Sequence, residues 1–377
     1  MAIQPPASTF NPRRILVRGT NWLGDAVMTT PALLRLREKF PDAHIALLTP
    51  EKLKDLWRHH PAVNEAISFA PGEGVFAVGK KLRAGKFDLA LVLPNSPRSA
   101  IESWLAGIPQ RIGYVRPWRN FFLTQAVAPR AGAVKMHKRS AHEVRELVAD
   151  NSKLKIEDSK PPAAAHQIHE YLNLAAELGA NPEPLPPKLF VTTEEIEAIK
   201  TEFYLNDTKY RRPFCGVNPG AEYGAAKRWP VEKFIETIRE VQQRTVCNWI
   251  IFGGQNDKRL ASRIESEIDD GSSIFNLAGH TSLRELMAAL KLCRVLLTND
   301  TGPMHVAAAL GTPVVVPFGS TSPELTGPGL PGDARHRLLK SDAPCSPCFL
   351  RECPIDFRCM NGISVERVVE AVLETTK

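Results

Sequence analysis

No stretch of this 377-residue chain offers the roughly 18 unbroken apolar residues that a membrane-crossing helix needs. The opening segment, Met1 to Arg14, carries prolines and polar residues where a secretory signal would place an apolar run. These two absences lead to the expectation of a cytosolic protein, or of one peripheral to a membrane. Cysteine is scarce, and seven thiols without a secretory signal suggest reduced side chains rather than a disulfide framework. The sequence shows neither a short-period repeat nor a recognised nucleic-acid-binding module, so no nucleic-acid partner is expected.

Charge of one sign does not dominate. Lys and Arg number 48 against 41 Asp and Glu, a net +7 that favours phosphate-bearing partners. Nucleic acid, an anionic membrane and a phosphorylated substrate would all be served by that excess, and so would simple solubility. With 43% hydrophobic and 24% charged residues the composition is that of a soluble globular protein, and the length exceeds what one hydrophobic core usually holds. Two domains follow as the first expectation.

Arg14-Ile15-Leu16-Val17-Arg18-Gly19 reads as a first strand, Ala26 to Phe40 as a helix, and Ile45 to Leu48 as a second strand. Phe87 to Leu93 is an apolar run ending at Pro94-Asn95-Ser96, the pattern of a buried parallel strand with a polar loop at its carboxyl end. Between Leu178 and Lys188 the Pro-rich sequence sustains neither helix nor central strand, which places an interdomain linker there. A second series opens at Phe214 and continues through strands Asn248 to Phe252, Arg294 to Leu297 and Val314 to Phe318. The alternation indicates an α/β architecture in both halves.

Several strand ends carry chemistry. Thr298-Asn299-Asp300-Thr301-Gly302-Pro303-Met304-His305 joins a strand to a helix, so that N–H groups at the helix start would meet a phosphate lying against Thr301 and Gly302. Asp300 is either a ligand-binding carboxylate or an N-cap. Gly19-Thr20-Asn21-Trp22-Leu23-Gly24-Asp25 places a carboxylate at the end of the first strand, where Asp25 is a candidate general base or, again, a cap. Asn218 to Pro230 combines glycines with Lys227 and Arg228, suited to a diphosphate, or to a solvated basic loop beside a core tryptophan. Phe252-Gly253-Gly254-Gln255-Asn256-Asp257 is a glycine-rich strand end suited to a ribose or base contact.

Cys345, Cys348, Cys353 and Cys359 have C-x2-C-x4-C-x5-C spacing, close enough for one structural metal or iron-sulfur centre, with free thiols in a Pro-rich loop as the alternative. Arg111 to Phe122 interleaves cations with aromatics, and Lys135, His137, Lys138 and Arg139 form a second basic group.

In order and spacing, Gly19 to Asp25, Leu93 to Ser96, Pro219 to Gly224 with Ala226 to Pro230, and Thr298 to Gly302 with His305 resemble glycosyltransferase family 9 over nearly the whole chain. These bacterial enzymes move L-glycero-D-manno-heptose from ADP-heptose to the lipopolysaccharide inner core. The resemblance implies an α/β GT-B fold, two facing Rossmann-like domains with an interdomain cleft: residues 1–180 would bind acceptor and 181–377 the ADP-sugar. Whether the last helix packs back on the N-terminal domain is left open.

It also implies inversion at the anomeric carbon, with no catalytic metal and no cofactor. Asp25 would take the proton from the acceptor hydroxyl, and Lys227 would hold the diphosphate. Asp300 would orient sugar hydroxyls, while Thr301 and Gly302 would offer N–H groups to phosphate. His305 would support the leaving group or pack beside it, and Gly220, Glu222 and Asn256 would complete the donor contacts.

The implied partners are ADP-heptose, a lipid-linked lipopolysaccharide core acceptor and the cytoplasmic face of the inner membrane. Arg111 to Phe122 would meet either that acceptor or the membrane. Ala221 to Gly224 ahead of Lys227 favours the second-type branch, whose acceptor already carries heptose, over the branch acting on the Kdo region, and transfer to a later core heptose is the other alternative. A function of another class, a non-catalytic nucleotide- or metal-binding protein, would make Asp25 a cap and the four cysteines the important site.

Overall fold

The computed structural model describes residues 11–149, 161–206, 212–268 and 274–376. The first ten residues of the polar opening segment lie outside the described residues.

The chain begins β1 (Arg14–Arg18), α1 (Leu23–Met28), α2 (Thr30–Lys39), β2 (His44–Pro50), β3 (Glu65–Phe69), α3 (Val75–Arg83), β4 (Leu89–Val92), α4 (Pro97–Leu105), β5 (Gln110–Tyr114) and β6 (Gln125–Val127). Helices α5 (Ala141–Ala149), α6 (Ile168–Ala176) and α7 (Thr193–Glu202) follow. The remainder runs β7 (Phe214–Asn218), α8 (Val231–Arg244), β8 (Asn248–Ile251), α9 (Lys258–Ile268), β9 (Ile274–Asn276), α10 (Leu283–Leu292), β10 (Cys293–Thr298), α11 (Gly302–Ala309), β11 (Val314–Phe318), α12 (Pro323–Thr326), β12 (Arg337–Lys340), α13 (Arg358–Asn361) and α14 (Val365–Thr376).

Two compact units emerge. The first holds the described residues up to Ala133 together with Gln167–Phe190; the second holds the described parts of Val134–His166 and Val191–Lys377. Relative to a single cut at 180/181, two stretches fall on the other side: 134–166 and 181–190. The Pro-rich segment around 183–188 is tied to α2 in the first unit, where Arg35 Nε donates to Glu183 O (2.9 Å) and Lys188 N to Thr30 Oγ1 (3.1 Å).

Each unit is built on a six-stranded parallel sheet, in the orders β3-β2-β1-β4-β5-β6 and β12-β11-β10-β7-β8-β9. Renumbered from its own first strand, the second sheet has the same order as the first, and both are Rossmann-like. The central strands are apolar through their middles because helices cover both faces of a parallel sheet. Ile15, Leu16 and Val17 in β1, and Val314, Val315 and Val316 in β11, are completely buried.

One expected helix is two. The run from Ala26 to Phe40 starts earlier, at Leu23, and breaks at Thr29, because Pro31 has no N–H to return to the preceding turn. The Thr29 and Thr30 hydroxyls donate instead to Ala26 O (2.7 Å) and Val27 O (2.8 Å). The last helix, α14, packs on α8, β10 and β11 within the second unit. No helix among the described residues is long and apolar enough to cross a membrane.

Candidate active site

In the second sheet β7 and β10 lie side by side while the chain leaves them toward opposite edges, so their carboxyl ends form the crevice where a parallel sheet receives ligands. The backbone there is fixed by Asn299, which is fully buried: its Nδ2 donates to Pro219 O (2.7 Å) and its Oδ1 accepts from Trp229 N (2.9 Å). Asn218 Nδ2 adds a bond to Thr298 Oγ1 (3.2 Å). The two strand-end loops thus become one rigid floor.

On that floor Lys227 Nζ meets Asp300 Oδ2 at 2.6 Å, and Thr321 Oγ1 donates to the same oxygen at 2.5 Å. Asp300 is therefore a bonded acid facing Lys227, and the N-cap position of α11 falls to Thr301, whose side chain makes no capping bond. Gly302 and Pro303 open the helix, leaving its first turn to present N–H groups and a partial positive charge.

Tyr223 lies beneath two cations, with Lys227 Nζ 4.8 Å and Arg351 Cζ 5.1 Å from its ring centre, and its hydroxyl donates to Phe349 O (2.9 Å). Gly224 permits the close approach of that segment: a Cβ there would lie 2.4 Å from Arg351 O, which already accepts from Ala226 N at 2.9 Å.

His305 is buried one turn into α11, and burial lowers its pKa to about 4 against the opposing pull of Asp300, so the ring is neutral at pH 7. A neutral imidazole can accept or donate one hydrogen bond but adds no fixed charge. Gly220 also sits on the floor, and a Cβ there would strike the Asp257 carboxylate at 2.5 Å. Asp257 is thus the residue of the glycine-rich loop that turns toward Gly220, binding Gly254 N at 3.0 Å, while its neighbour Asn256 is exposed. Glu222 is likewise exposed at the rim of its loop.

In the first unit Asp25 occupies the third position of α1, following the carboxyl end of β1. Arg18 holds that loop, binding Glu102 (2.9 Å), Asn21 Oδ1 (3.0 Å) and Gly19 O (2.5 Å). Gln167 Nε2, at the start of α6, donates to Asp25 Oδ1 (3.3 Å) and to the Tyr171 hydroxyl (2.8 Å). Burial and the Asp25 carboxylate both push the Tyr171 phenol well above its ordinary range, so it stays protonated.

At the neighbouring β4 end lies Arg119, completely buried, its Nη1 donating to Pro94 O (2.6 Å) and Asn95 Oδ1 (3.4 Å). Its Nε and Nη2 have no protein partner among the described residues, and burial lowers its pKa to about 10.

Comparison with known proteins gives this geometry its setting. The family model for glycosyltransferase family 9 (heptosyltransferase) matches residues 75–357. Lipopolysaccharide heptosyltransferase 2 of Salmonella typhimurium is 31% identical over 330 residues, 84% of this chain and 85% of that protein. The enzyme of the same name from Escherichia coli K12 is 31% identical over 353 residues, 88% and 91%. The chain belongs to glycosyltransferase family 9.

A solved structure of E. coli ADP-heptose lps heptosyltransferase II superposes with a TM-score of 0.76 at 28% identity, covering 96% of this chain and 98% of that one. The architecture is thus the α/β GT-B fold of family 9, and the chain is a glycosyltransferase.

Several residues of this candidate site were not evident in the sequence. Thr321 and Arg351 reach the floor from segments far along the chain, and Gln167 lies 142 residues from the carboxylate it contacts. Asn299 stood inside the strand-end motif, but its pinning role depends on loops that only the sheet brings together.

Burial and the neighbouring thiols Cys345, Cys348 and Cys353 raise the Cys359 pKa to about 12, so the four stand near one another, while among the described residues no three His, Cys, Asp or Glu side chains are grouped to hold a metal ion. Cys345 and Cys348 pack with Val144, Cys359 joins the main core of the unit, and the Cys353 sulfur accepts from Phe357 N at 3.3 Å.

Proposed function

We propose that this family 9 enzyme moves heptose from ADP-heptose to a heptose-bearing lipopolysaccharide inner core, as a heptosyltransferase of the second type. The observation that carries the reading is the Lys227–Asp300 pair on the β7/β10 floor beside the α11 N-terminus. In this reading the diphosphate lies against Lys227 and the Thr301 and Gly302 N–H groups, Gly220 lets it approach, and Asp300 orients the sugar hydroxyls. Glu222 and Asn256 meet the outer part of the donor.

Asp25, oriented by Gln167, takes the proton of the acceptor hydroxyl as that oxygen attacks the anomeric carbon. The bond from that carbon to the ADP oxygen breaks, and the growing negative charge is met by a cation and oriented dipoles that need no reorganisation. His305, neutral before binding, donates one hydrogen bond to the departing diphosphate.

Arg119 supports an anionic acceptor, because a buried guanidinium with unused N–H groups is costly unless an anion reaches it. A lipid-linked acceptor makes this a cytoplasmic protein working peripherally at the inner membrane face.

The test is to incubate purified protein with ADP-heptose and defined core acceptors and to weigh the products. One heptose should be added to acceptors already carrying heptose. Transfer only to the unheptosylated Kdo acceptor would assign the chain to the first-step branch, and no transfer to either would end the proposal.

A further inference from the structure

The outer surface of the α3–α4 layer in the first unit is chemically one-sided. Phe76, Lys80 and Arg83 recur at i, i+4 and i+7 along α3 and are all exposed, while Val78, Gly79 and Leu82 face inward. α3 packs on α4, where Arg83 Nη2 donates to Leu105 O at 2.7 Å. The residue before Leu105, Trp104, is 48% exposed, with its ring 5.4 Å from that of Phe122. Phe122 lies 6.4 Å from Phe121, which is 94% exposed, and Trp118 in the same loop is 88% exposed. Single exposed aromatics are ordinary on a protein surface, but a connected strip of them marks a contact surface.

The charge on these segments selects the partner. Between Asp88 and Glu143 the sequence holds one carboxylate, Glu102, and it is buried against Arg18 and Arg98. From Gly74 to Phe87 there is none. The same segments carry Lys80, Arg83, Lys86 and Arg116. Aromatics flanked by cations without acids match an anionic bilayer surface, where rings enter the headgroup boundary and cations meet lipid phosphates.

We infer that this face docks the protein on anionic lipid. The inference deepens the proposed transfer to a lipid-linked acceptor and takes its purpose from that reading, but it stands on the surface itself.

The test sediments the full-length protein with vesicles of phosphatidylcholine alone or mixed with phosphatidylglycerol. Binding should require the anionic lipid and weaken as salt rises. The double variants Lys80→Glu/Arg83→Glu and Phe76→Ser/Trp104→Ser should each lower partitioning about tenfold or more, while turnover of a water-soluble short acceptor stays at the parent level.

Unchanged partitioning in both variants overturns the inference, as does equal binding to neutral vesicles. A raised KM for the soluble acceptor would give the face to acceptor binding, and loss of self-association without any vesicle effect would give it to a protein interface; either outcome also overturns it. Vesicle binding of the predicted kind by a protein that transfers no heptose would leave the docking face standing and remove the proposed reaction.

Discussion

The Gln167 side-chain nitrogen lies 3.3 Å from Asp25 Oδ1 and 2.8 Å from the Tyr171 hydroxyl, so one amide ties the proposed base to a buried phenol on the same helix. Asp25→Asn keeps the shape and removes the basic oxygen. Turnover should fall by about 100- to 10,000-fold while calorimetric binding of ADP is largely retained. Gln167→Ala leaves the carboxylate but frees its orientation, so kcat should fall about tenfold with donor affinity unmoved. Parent-level turnover of the asparagine variant would take Asp25 out of the mechanism.

Lys227 plays the complementary part in the second unit. Lys227→Ala removes the cation from the floor and leaves the Asp300 carboxylate, only 5% exposed at its side chain, with Thr321 alone. kcat/KM should drop by about 100- to 1,000-fold and ADP should bind more weakly. Lys227→Arg should recover little, since the planar fork does not fit between the Tyr223 ring and Asp300 as a compact ammonium does. Steady-state kinetics with both variants decides the matter, and a fully active Lys227→Arg enzyme would show that charge alone suffices.

What the sequence made legible was whatever depends on neighbours along the chain. Buried parallel strands such as Leu89–Val92 and Val314–Phe318 are continuous apolar runs, and the strand-end motifs sit beside them, so Asp300, Thr301, Gly302 and His305 could be named within one motif, while Lys227 was joined to them only by the resemblance to family 9. Long-range selection was not legible. The glycine-rich loop turns Asp257 rather than Asn256 toward Gly220, because the missing Cβ of Gly220 makes room for that carboxylate. Nor could cysteine spacing reveal that Cys359 would be taken into the core beside Met360 while Cys345 and Cys348 pack with Val144.

Three buried histidines make stability depend on pH. Burial lowers His60, His305 and His336 from about 6.5 to about 4. His60 Nδ1 accepts from Ala62 N and His336 Nδ1 from Val314 N, both at 3.3 Å, bonds that require an unprotonated nitrogen. A histidine depressed in the folded state binds its proton only after unfolding between these two values. Its stabilising contribution is therefore complete above pH 6.5 and is lost progressively as pH falls toward 4. At pH 5 each should have cost about 2 kcal/mol relative to pH 7. Urea unfolding at the two pH values measures this, and His60→Gln should reduce the loss in the first unit while leaving that of the second unchanged.

Gly224 tests whether the Tyr223–Lys227 loop is held from behind. Any side chain at that position would place Cβ 2.4 Å from Arg351 O, the carbonyl that accepts from Ala226 N. Backbone cannot rotate away as a flexible side chain would, so Gly224→Ala must push the 349–351 segment and the lysine loop apart. That motion would take Phe349 O from the Tyr223 hydroxyl and withdraw Arg351 from the ring that also carries Lys227. The expected cost is about 1–3 kcal/mol of stability, as for other overpacked sites, together with an increase of about tenfold in the KM for ADP-heptose. The two effects separate the causes: a stability loss with an unchanged donor KM would mean that the loop keeps its position and that Arg351 only fills space, whereas a raised KM at nearly parent stability would show that this carbonyl sets where Lys227 stands.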